Sequence, residues 1–585
     1  MSVRRILLLD PPFFRFLDED QRGVPMGLAY LAGALRGAGF EDVVIYNADF
    51  DPQEGLGVCN RGYFDEMSRF DDYLSAVTND DHPIYREVLE TVRDFSPDLI
   101  AMSVRTAKFY ISKTLIRLLR EAFGAVPIVV GGPHATANPE HVLTRTEADF
   151  VVRGEGERTL LELVQTLDHE DREFGTIEGL SYRRGETLMH NPDRPFIADL
   201  DTLPLPARDL ILNRQRMAPD DFSNLFSSRG CPFACAYCDS RRTWSRKVRR
   251  HSPQYIVEEI WDIKKRFGST FFPFQDDCFV TDEKHLVELC QEMHRRGLAE
   301  LPLTEFRWWC EIHPSLVTED LIERMKNANC VAIAIGAESG SQRTLDSINK
   351  TVTPEMTLKA ARIIREAGLS LSTFFMIGFP WETEQDIEQT LRFMEEVAPD
   401  KPVVSILTPL PGTPIYDYCR ERSLVNFDED FLTLFHQRNV HFYSEHISDE
   451  RSREIIRNAL ERCEKIAQKT RRDKIARYLL DQVAPSIRDE EALLLEVVDK
   501  LSADELGERR FPSGVVKVTV AHSYTEEKIY LGLYGDSGRR LSRRGCERVG
   551  RLLLKEFPQY VAIELEEHTP EGTRTHVVEA HAAVS

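Results

Sequence analysis

Short apolar runs alternate with helical patterns twice along this chain, and that alternation restricts the fold more than any other feature. The first series fills residues 1–169. Strands are predicted at Arg5–Leu9, Asp42–Tyr46, Asp98–Ser103, Pro127–Val130 and Phe150–Val152, and helices at Met26–Arg36, Ile111–Ala122, Pro139–Thr144 and Glu157–Leu167. Alternation of this kind implies a parallel sheet with helices on both faces. The second series fills residues 224–425. Six strands fit, at Asn224–Ser227, Thr270–Gln275, Arg307–Glu311, Cys330–Ile335, Ser370–Ile377 and Val403–Leu407, and six βα steps predict a partial parallel barrel. Between the two lies a connector, 170–223, with a hairpin near Leu180–His190 and the segment Leu203-Pro204-Leu205-Pro206. Residues 50–82 lack a clear period and read as an inserted loop. A charged helical region is expected over 426–510, with Ser448–Gly507 helical. A small α+β domain follows over 511–585, with a helix at Leu541–Glu556 between two pairs of strands.

The length, 585 residues, suits three or four domains, and a hydrophobic fraction of 42% is enough for real cores. No apolar run reaches the roughly 18 residues that span a bilayer. The start, Met-Ser-Val-Arg-Arg before Ile6-Leu7-Leu8-Leu9, reads as a strand and not as a signal peptide, so a cytoplasmic protein without membrane attachment is expected. Its 11 cysteines are then reduced, buried or metal-bound. A net charge of −22 disfavours nucleic acid as a partner. The densest basic run, Arg241-Arg242 and Arg246-Lys247-Val248-Arg249-Arg250, is read first as a solvated face, and second as a contact for an anionic ligand.

Within the second series, Ser228-Arg229-Gly230-Cys231-Pro232-Phe233-Ala234-Cys235-Ala236-Tyr237-Cys238 sets three thiols at the spacing C-x3-C-x2-C. Cysteine-ligated iron–sulfur clusters normally take four thiolates, and no fourth cysteine lies nearby. Three thiolates leave one iron open to a small chelating ligand. A structural zinc site would want four ligands, commonly two C-x2-C pairs, and the next cysteine, Cys278, stands alone. The cysteine loop resembles that of the radical SAM superfamily. The resemblance implies a 4Fe–4S cluster on Cys231, Cys235 and Cys238, S-adenosylmethionine on the open iron, reductive cleavage to a 5′-deoxyadenosyl radical, and Tyr237 near the adenine.

Ligands of open parallel sheets sit beyond the carboxyl ends of the strands. Strand four of the first series ends Gly131-Gly132-Pro133-His134-Ala135-Thr136, and strand five ends Arg153-Gly154-Glu155-Gly156-Glu157. With the Pro11-Pro12 loop and the helix start Pro25-Met26-Gly27-Leu28, these motifs resemble the cobalamin-binding domain that precedes many radical SAM domains, a Rossmann-like, flavodoxin-like fold. The resemblance implies cobalamin contacts from Ser103, Arg105, Gly132, Pro133, His134, Gly154 and Glu155. The histidine-ligated members carry Asp-x-His-x-x-Gly after strand one. Here Asp10 to Gly23 contains no histidine, which points to base-off cobalamin without histidine ligation. His134 is read as a contact to the nucleotide tail or a capping residue. Arg105 cannot ligate a metal, having no acceptor lone pair; beneath the corrin it would discourage axial water.

The barrel strand ends also resemble those of cobalamin-type radical SAM enzymes: Gln275-Asp276-Asp277, Gly336-Ala337-Glu338-Ser339-Gly340, Gly378-Phe379-Pro380-Trp381-Glu382-Thr383 and Pro409-Leu410-Pro411-Gly412-Thr413-Pro414. The likeness implies S-adenosylmethionine contacts from Tyr237, Asp276, Asp277, Gly336 and Glu338. The competing role for the acids is helix capping, most credibly for Asp277. Trp309 with Glu311, or Trp308 with Cys310, face the lumen; alternation leaves the choice open. The favoured function is that of a cobalamin-dependent radical SAM enzyme, a methyltransferase acting on an unactivated carbon of a small molecule, with an electron donor such as flavodoxin or ferredoxin. The cofactors carry the chemistry, and no catalytic side chain is named. Alternatives are a non-methylating enzyme with the same cofactors (cyclisation, ring contraction or oxidation) and a non-enzymatic corrinoid sensor or carrier. A methylthiotransferase would need three more cluster cysteines in the first domain, where only Cys59 lies.

Overall fold

The computed structural model describes residues 3–17, 21–50, 70–169, 172–425, 431–432, 442–478, 493–497, 516–523, 528–535, 562–569 and 572–579. The chain divides into two compact units, residues 1–397 with 403–460, and 398–402 with 461–585. Among the described residues no helix is long and apolar enough to cross a membrane.

The first unit opens with strands β1 (Ile6–Asp10), β2 (Val43–Asn47), β3 (Leu99–Ser103), β4 (Ile128–Gly131) and β5 (Phe150–Val152). They pair in parallel in the order β2-β1-β3-β4-β5, the flavodoxin-like order. Helices α1 (Met26–Gly37), α2 (Phe70–Val77), α3 (Pro83–Phe95), α4 (Phe109–Phe123), α5 (Pro133–Ala137), α6 (Pro139–Arg145) and α7 (Gly156–Asp168) connect them. β1 shows why an unbroken apolar run is needed in such a sheet. Leu7 and Leu9 pack among Val88, Val92, Leu115 and Leu119, while Ile6 and Leu8 pack among Leu28, Ala29, Leu160 and Leu163. Both faces are covered, so both sets of alternate residues must be apolar.

Two local differences from expectation arise here. The hairpin β6 (Leu180–Arg184) and β7 (Thr187–His190), expected in the connector, pairs antiparallel onto β5 and extends the first sheet. The stretch expected as an inserted loop holds α2, with 51–69 outside the described residues.

The second series builds β8 (Ser228–Arg229), β9 (Arg249–Arg250), β10 (Phe271–Pro273), β11 (Arg307–Ile312), β12 (Cys330–Glu338), β13 (Ser370–Ile377) and β14 (Lys401–Ile406). The last five form one sheet in sequence order, with β10 to β13 pairing in parallel. The strand expected at 224–227 is reduced to one parallel bridge, Leu225 to Phe274, after which the chain turns into the antiparallel pair β8–β9. The helices are α8 (Ser240–Trp244), α9 (Pro253–Phe267), α10 (Glu283–Arg295), α11 (Glu319–Asn327), α12 (Gln342–Ser347), α13 (Pro354–Glu366), α14 (Glu384–Val397) and α15 (Pro414–Glu421). β11 settles the tryptophan question. Trp308, Cys310 and Ile312 are fully buried, with Trp308 Nε1 donating to Ala328 O at 2.6 Å, whereas Trp309 and Glu311 stand half-buried on the opposite face.

Helix α16 (Asp449–Tyr478) follows. The helical expectation for 448–507 needs correcting, because Leu493–Val497 forms strand β15. Its apolar run Leu-Leu-Leu pairs in parallel with β16 (Val516–Ser523), and β17 (Lys528–Gly535), β18 (Ala562–Thr569) and β19 (Gly572–Glu579) complete a five-stranded mixed sheet. The helix expected at Leu541–Glu556 lies outside the described residues.

Candidate functional site

The cysteine loop leaves β8 through Gly230, whose φ of +106° and a clearance of 2.9 Å between a Cβ there and Lys247 O require glycine. Loops from later strands hold it. Ala236 N donates to Ile348 O at 2.8 Å, Asn349 Nδ2 to Ala234 O at 3.0 Å, and Ile415 N to Ala236 O at 3.3 Å. Phe233 stacks on His313 at 3.8 Å. The three thiols are half-buried, and burial pushes each above the usual thiol range. Binding to iron removes the proton and the penalty with it. A single zinc ion draws its thiolates close together, at about 2.3 Å from one centre. Among the described residues no group of three His, Cys, Asp or Glu side chains is arranged to hold one ion. A cubane carries each thiolate on a different iron, so the loop fits a cluster with one iron left open.

Beside the loop the barrel strand ends gather a set of charges. Glu338 sits at a bulge in β12 with φ of +61°, and accepts a hydrogen bond from Lys350 Nζ at 2.9 Å. The Tyr237 phenol is held un-ionised by burial and by Glu338. Burial opposes the charge on Lys350, but Glu338, Cys235 and Glu311 hold its ammonium protonated. Glu311 is pushed up to about 7 by burial, against the pull of Lys350. Gly336 leaves room for the ion pair where it stands: a Cβ there would lie 2.7 Å from Glu338 Oε1 and 2.9 Å from Lys350 Nζ, and both side chains would have to move.

The two aspartates part company. Asp277 accepts from Ser240 Oγ at 2.7 Å and from the Gly230 amide, so it touches the cysteine loop. It is not a cap, since Asp282 caps α10. Asp276 is buried and fully engaged by Ser227 N at 3.1 Å, Ser227 Oγ at 2.8 Å and Ser228 Oγ. Its contact is with the chain entering the loop, and these bonds also end the first barrel strand early. Lys350 was not singled out from the sequence, and Glu311 stood there only as one of two alternatives. A lysine twelve residues past a glutamate has no local signal, and Glu311 awaited the face of β11.

On the first sheet the ends of β3, β4 and β5 form the other edge. Gly132, with φ of +93°, brings its backbone so close that a Cβ would meet Val104 N and O at 2.9 Å. Beside it stand Ser103, half-buried, and the start of α5 at Pro133. Gly154, with φ of +69°, is exposed and has open space where a Cβ would be; its amide donates to Thr136 Oγ1 at 3.0 Å. Arg105 is exposed, and its charge acts on Asp10 and on Asp239, the residue after Cys238. Glycine at both strand ends leaves backbone without side chains there, which suits the close approach of a flat macrocycle. His134 and Glu155 are used otherwise. His134 is fully buried; Nδ1 bonds Thr106 Oγ1 at 3.1 Å and Nε2 bonds His141 Nδ1 at 3.3 Å, so neither nitrogen is free for a ligand. Burial, then His141, lowers it to about 3, and the ring is neutral. Glu155 is taken by Arg229, Arg249 and the Ile197 amide. Lys108, missed in the sequence, is buried between Asp10 at 3.0 Å and Asp49 at 2.8 Å and ties the ends of β1 and β2 together. The basic run is divided: Arg249 points inward to Glu155 and Arg250 bonds Thr281, while Arg241, Arg242, Arg246 and Lys247 are exposed.

Comparison with known proteins bears on both edges. The radical SAM superfamily model matches residues 225–394, and the B12 binding domain model matches residues 20–164. An uncharacterized methyltransferase of Pyrococcus horikoshii is 30% identical over 73% of this chain and 85% of its own length. The chain belongs to the cobalamin-dependent radical SAM family. It is an enzyme of that family, and its cofactors are a 4Fe–4S cluster, S-adenosylmethionine and cobalamin. A corrinoid carrier without catalysis is thereby set aside. The anaerobic magnesium-protoporphyrin IX monomethyl ester cyclase of Cereibacter sphaeroides is 28% identical over 68% of this chain and 60% of its own length. Among solved structures, the radical S-adenosylmethionine methyltransferase TsrM of Kitasatospora setae superposes with a TM-score of 0.56 at 19% identity, covering 72% of this chain and 75% of that one. The family fold is thus shared across low identity.

Proposed function

We propose that this family member is a C-methyltransferase for a small-molecule substrate, working in the cytoplasm with a flavodoxin or ferredoxin as electron donor. One observation carries the reading: α5, at the cobalamin edge, packs against α8, which starts two residues after Cys238. That packing supports the reading because it brings the two cofactor edges close together. Bound there, the cluster supplies the electron that cleaves S-adenosylmethionine, and cobalamin carries the methyl group. The chain's own residues bind and orient. Cys231, Cys235 and Cys238 hold the cluster. Tyr237, Gly336 and Glu338 hold S-adenosylmethionine, with Lys350 and Asp277 beside them. Asp276 organises the loop. Ser103, Arg105, Gly132, Pro133 and Gly154 line the corrin. Glu311 and Trp309 lie on the half-buried face of β11, and this reading assigns that face to the substrate.

Anaerobic incubation of reconstituted protein with methyl-labelled S-adenosylmethionine and candidate small molecules tests this. A product carrying the labelled methyl group supports methylation. A product altered without methyl gain would favour the second reading, a non-methylating reaction, which the cyclase relative brings forward. The cluster assignment is tested separately. Replacing Cys231, Cys235 and Cys238 together by alanine should abolish cluster absorbance and cleavage of S-adenosylmethionine, while Cys278→Ala and Cys310→Ala keep about four irons per chain. A triple variant that still holds a full cluster refutes the assignment.

A further inference from the structure

Two residues before Cys231, Arg229 is locked to the other domain. Its Nη1 donates to Glu155 Oε1 at 2.6 Å and its Nη2 to Glu157 Oε1 at 2.6 Å. Directly opposite it on β9, Arg249 donates from Nη1 to both oxygens of Glu155 at 2.8 Å and to Ile197 O at 2.8 Å. These four side chains are 3–6% exposed. The Arg229 guanidinium also lies 4.9 Å from the Tyr30 ring of α1 and 5.2 Å from the Trp244 ring of α8.

One carboxylate would neutralise Arg229. Two carboxylates on separate nitrogens fix the plane of the guanidinium as well, because its donors are a rigid fork. Both acids belong to the turn from β5 into α7, the turn that begins with Gly154 at the cobalamin edge. From Arg229 to Cys231 the chain reaches at most about 7 Å, and Gly230 between them passes too close to Lys247 O for any side chain to fit. Little slack remains, so a shift of Arg229 is passed to the first cluster thiolate.

We infer that Arg229 is a positioning residue: gripped by Glu155 and Glu157, it sets the separation between the 4Fe–4S cluster and the cobalt. This rests on the two-cofactor reading of the chain. Arg229 acts through Glu155, Glu157 and the loop, so its effect appears as geometry.

The test is pulsed electron paramagnetic resonance on the reconstituted holoenzyme, poised with the cluster reduced and cobalt as cob(II). The magnetic coupling between the two centres falls with the inverse cube of their separation. Arg229→Lys keeps the charge but loses the fork, and Glu157→Gln removes one of the two grips. Both should keep the iron and cobalt content of the parent while the coupling shifts and its distribution broadens. Arg208→Lys serves as the control, because Arg208 forms an equally buried pair with Glu259 and bonds neither Glu155 nor Glu157. It should lower the melting temperature and leave the coupling at the parent value. Unchanged coupling in both loop variants, or an equal change in the control, overturns the inference. Loss of cobalt or iron from both loop variants at an unchanged melting temperature would assign Arg229 to cofactor retention and overturn it too. A parent that binds no corrinoid fails earlier, at the cofactor reading, before any variant is compared.

Discussion

Glu382 shows how burial can outweigh hydrogen bonding in setting the behaviour of one side chain. Its Oε2 accepts from Gly378 N at 2.8 Å and Phe379 N at 3.0 Å, yet burial pushes its carboxyl up to about 8. In the unfolded chain a glutamate ionises near 4.3, as an approximate ordinary value. Between those values the unfolded state has lost a proton that the folded state keeps. The contribution to stability is therefore full at low pH and is lost as pH rises towards 8. Glu382→Gln should flatten the fall in melting temperature of cofactor-free protein between about pH 5 and about pH 8; parallel curves for parent and variant would contradict this. Gly336 allows a second forecast. Alanine there must displace the Glu338 carboxylate and the Lys350 ammonium from their present positions, and loss of their charge-assisted bond would cost about 1.5–3 kcal/mol. Gly336→Ala should weaken S-adenosylmethionine binding about tenfold or more, by the same principle, and leave the iron content intact. Equilibrium binding under anaerobic conditions measures it, and an unchanged affinity would remove Glu338 and Lys350 from that site. At this scale the sequence named Glu338, Tyr237 and the cysteines through their motifs. It also named Glu155 and His134, whose motifs are as recognisable but whose polar atoms are bonded inside the protein.

At the level of elements, long apolar runs were readable and edge pairings were not. β1 and β3 could be placed to within a residue, because both faces of a central parallel strand demand apolar side chains. The hairpin β6–β7 has strand character in its sequence, but nothing local says which sheet it will join. The first barrel strand fails for a related reason: Asp276, some fifty residues away, gathers Ser227 and Ser228 and turns the chain early. Packing between elements gives a further expectation. Arg208, in the connector, pairs with Glu259 of α9, each side chain 2% exposed, and also donates to Asn224 O at 2.7 Å. Arg208→Met leaves a buried carboxyl without its partner and should destabilise the protein by about 3–5 kcal/mol. Arg208→Met with Glu259→Leu should recover most of that loss. Denaturant unfolding measures both, and a double variant no more stable than the single one would show that the cost lies in packing and not in the orphaned charge.

For the whole molecule, every residue proposed to hold a cofactor lies between Ser103 and Lys350, within the first compact unit. The sheet of β15 to β19 belongs to the second unit. A chain ending after Tyr478 should therefore keep the parent's iron and cobalt content under anaerobic reconstitution. Loss of either cofactor would show that the part of the second unit after Tyr478 is needed to hold it. Substrate turnover in the same truncation would separate a role in substrate binding from one in folding.

What the residues determine by themselves is the local chemistry: which runs are strands, that three thiols sit on one short loop, and that the loop after β1 has no histidine to offer a cobalt. These are properties of neighbours in the chain, fixed by periodicity and spacing. What the tertiary structure decides is which polar groups are left over for a ligand. Glu155 and Glu338 both stand in glycine-flanked motifs at strand ends. One is consumed by two arginines that arrive from seventy and more residues away, and the other pairs with Lys350 beside the cysteine loop. A carboxylate bonds whichever cation the fold brings within reach, and burial then multiplies the strength of that bond, so its function is set by contacts that no local pattern contains.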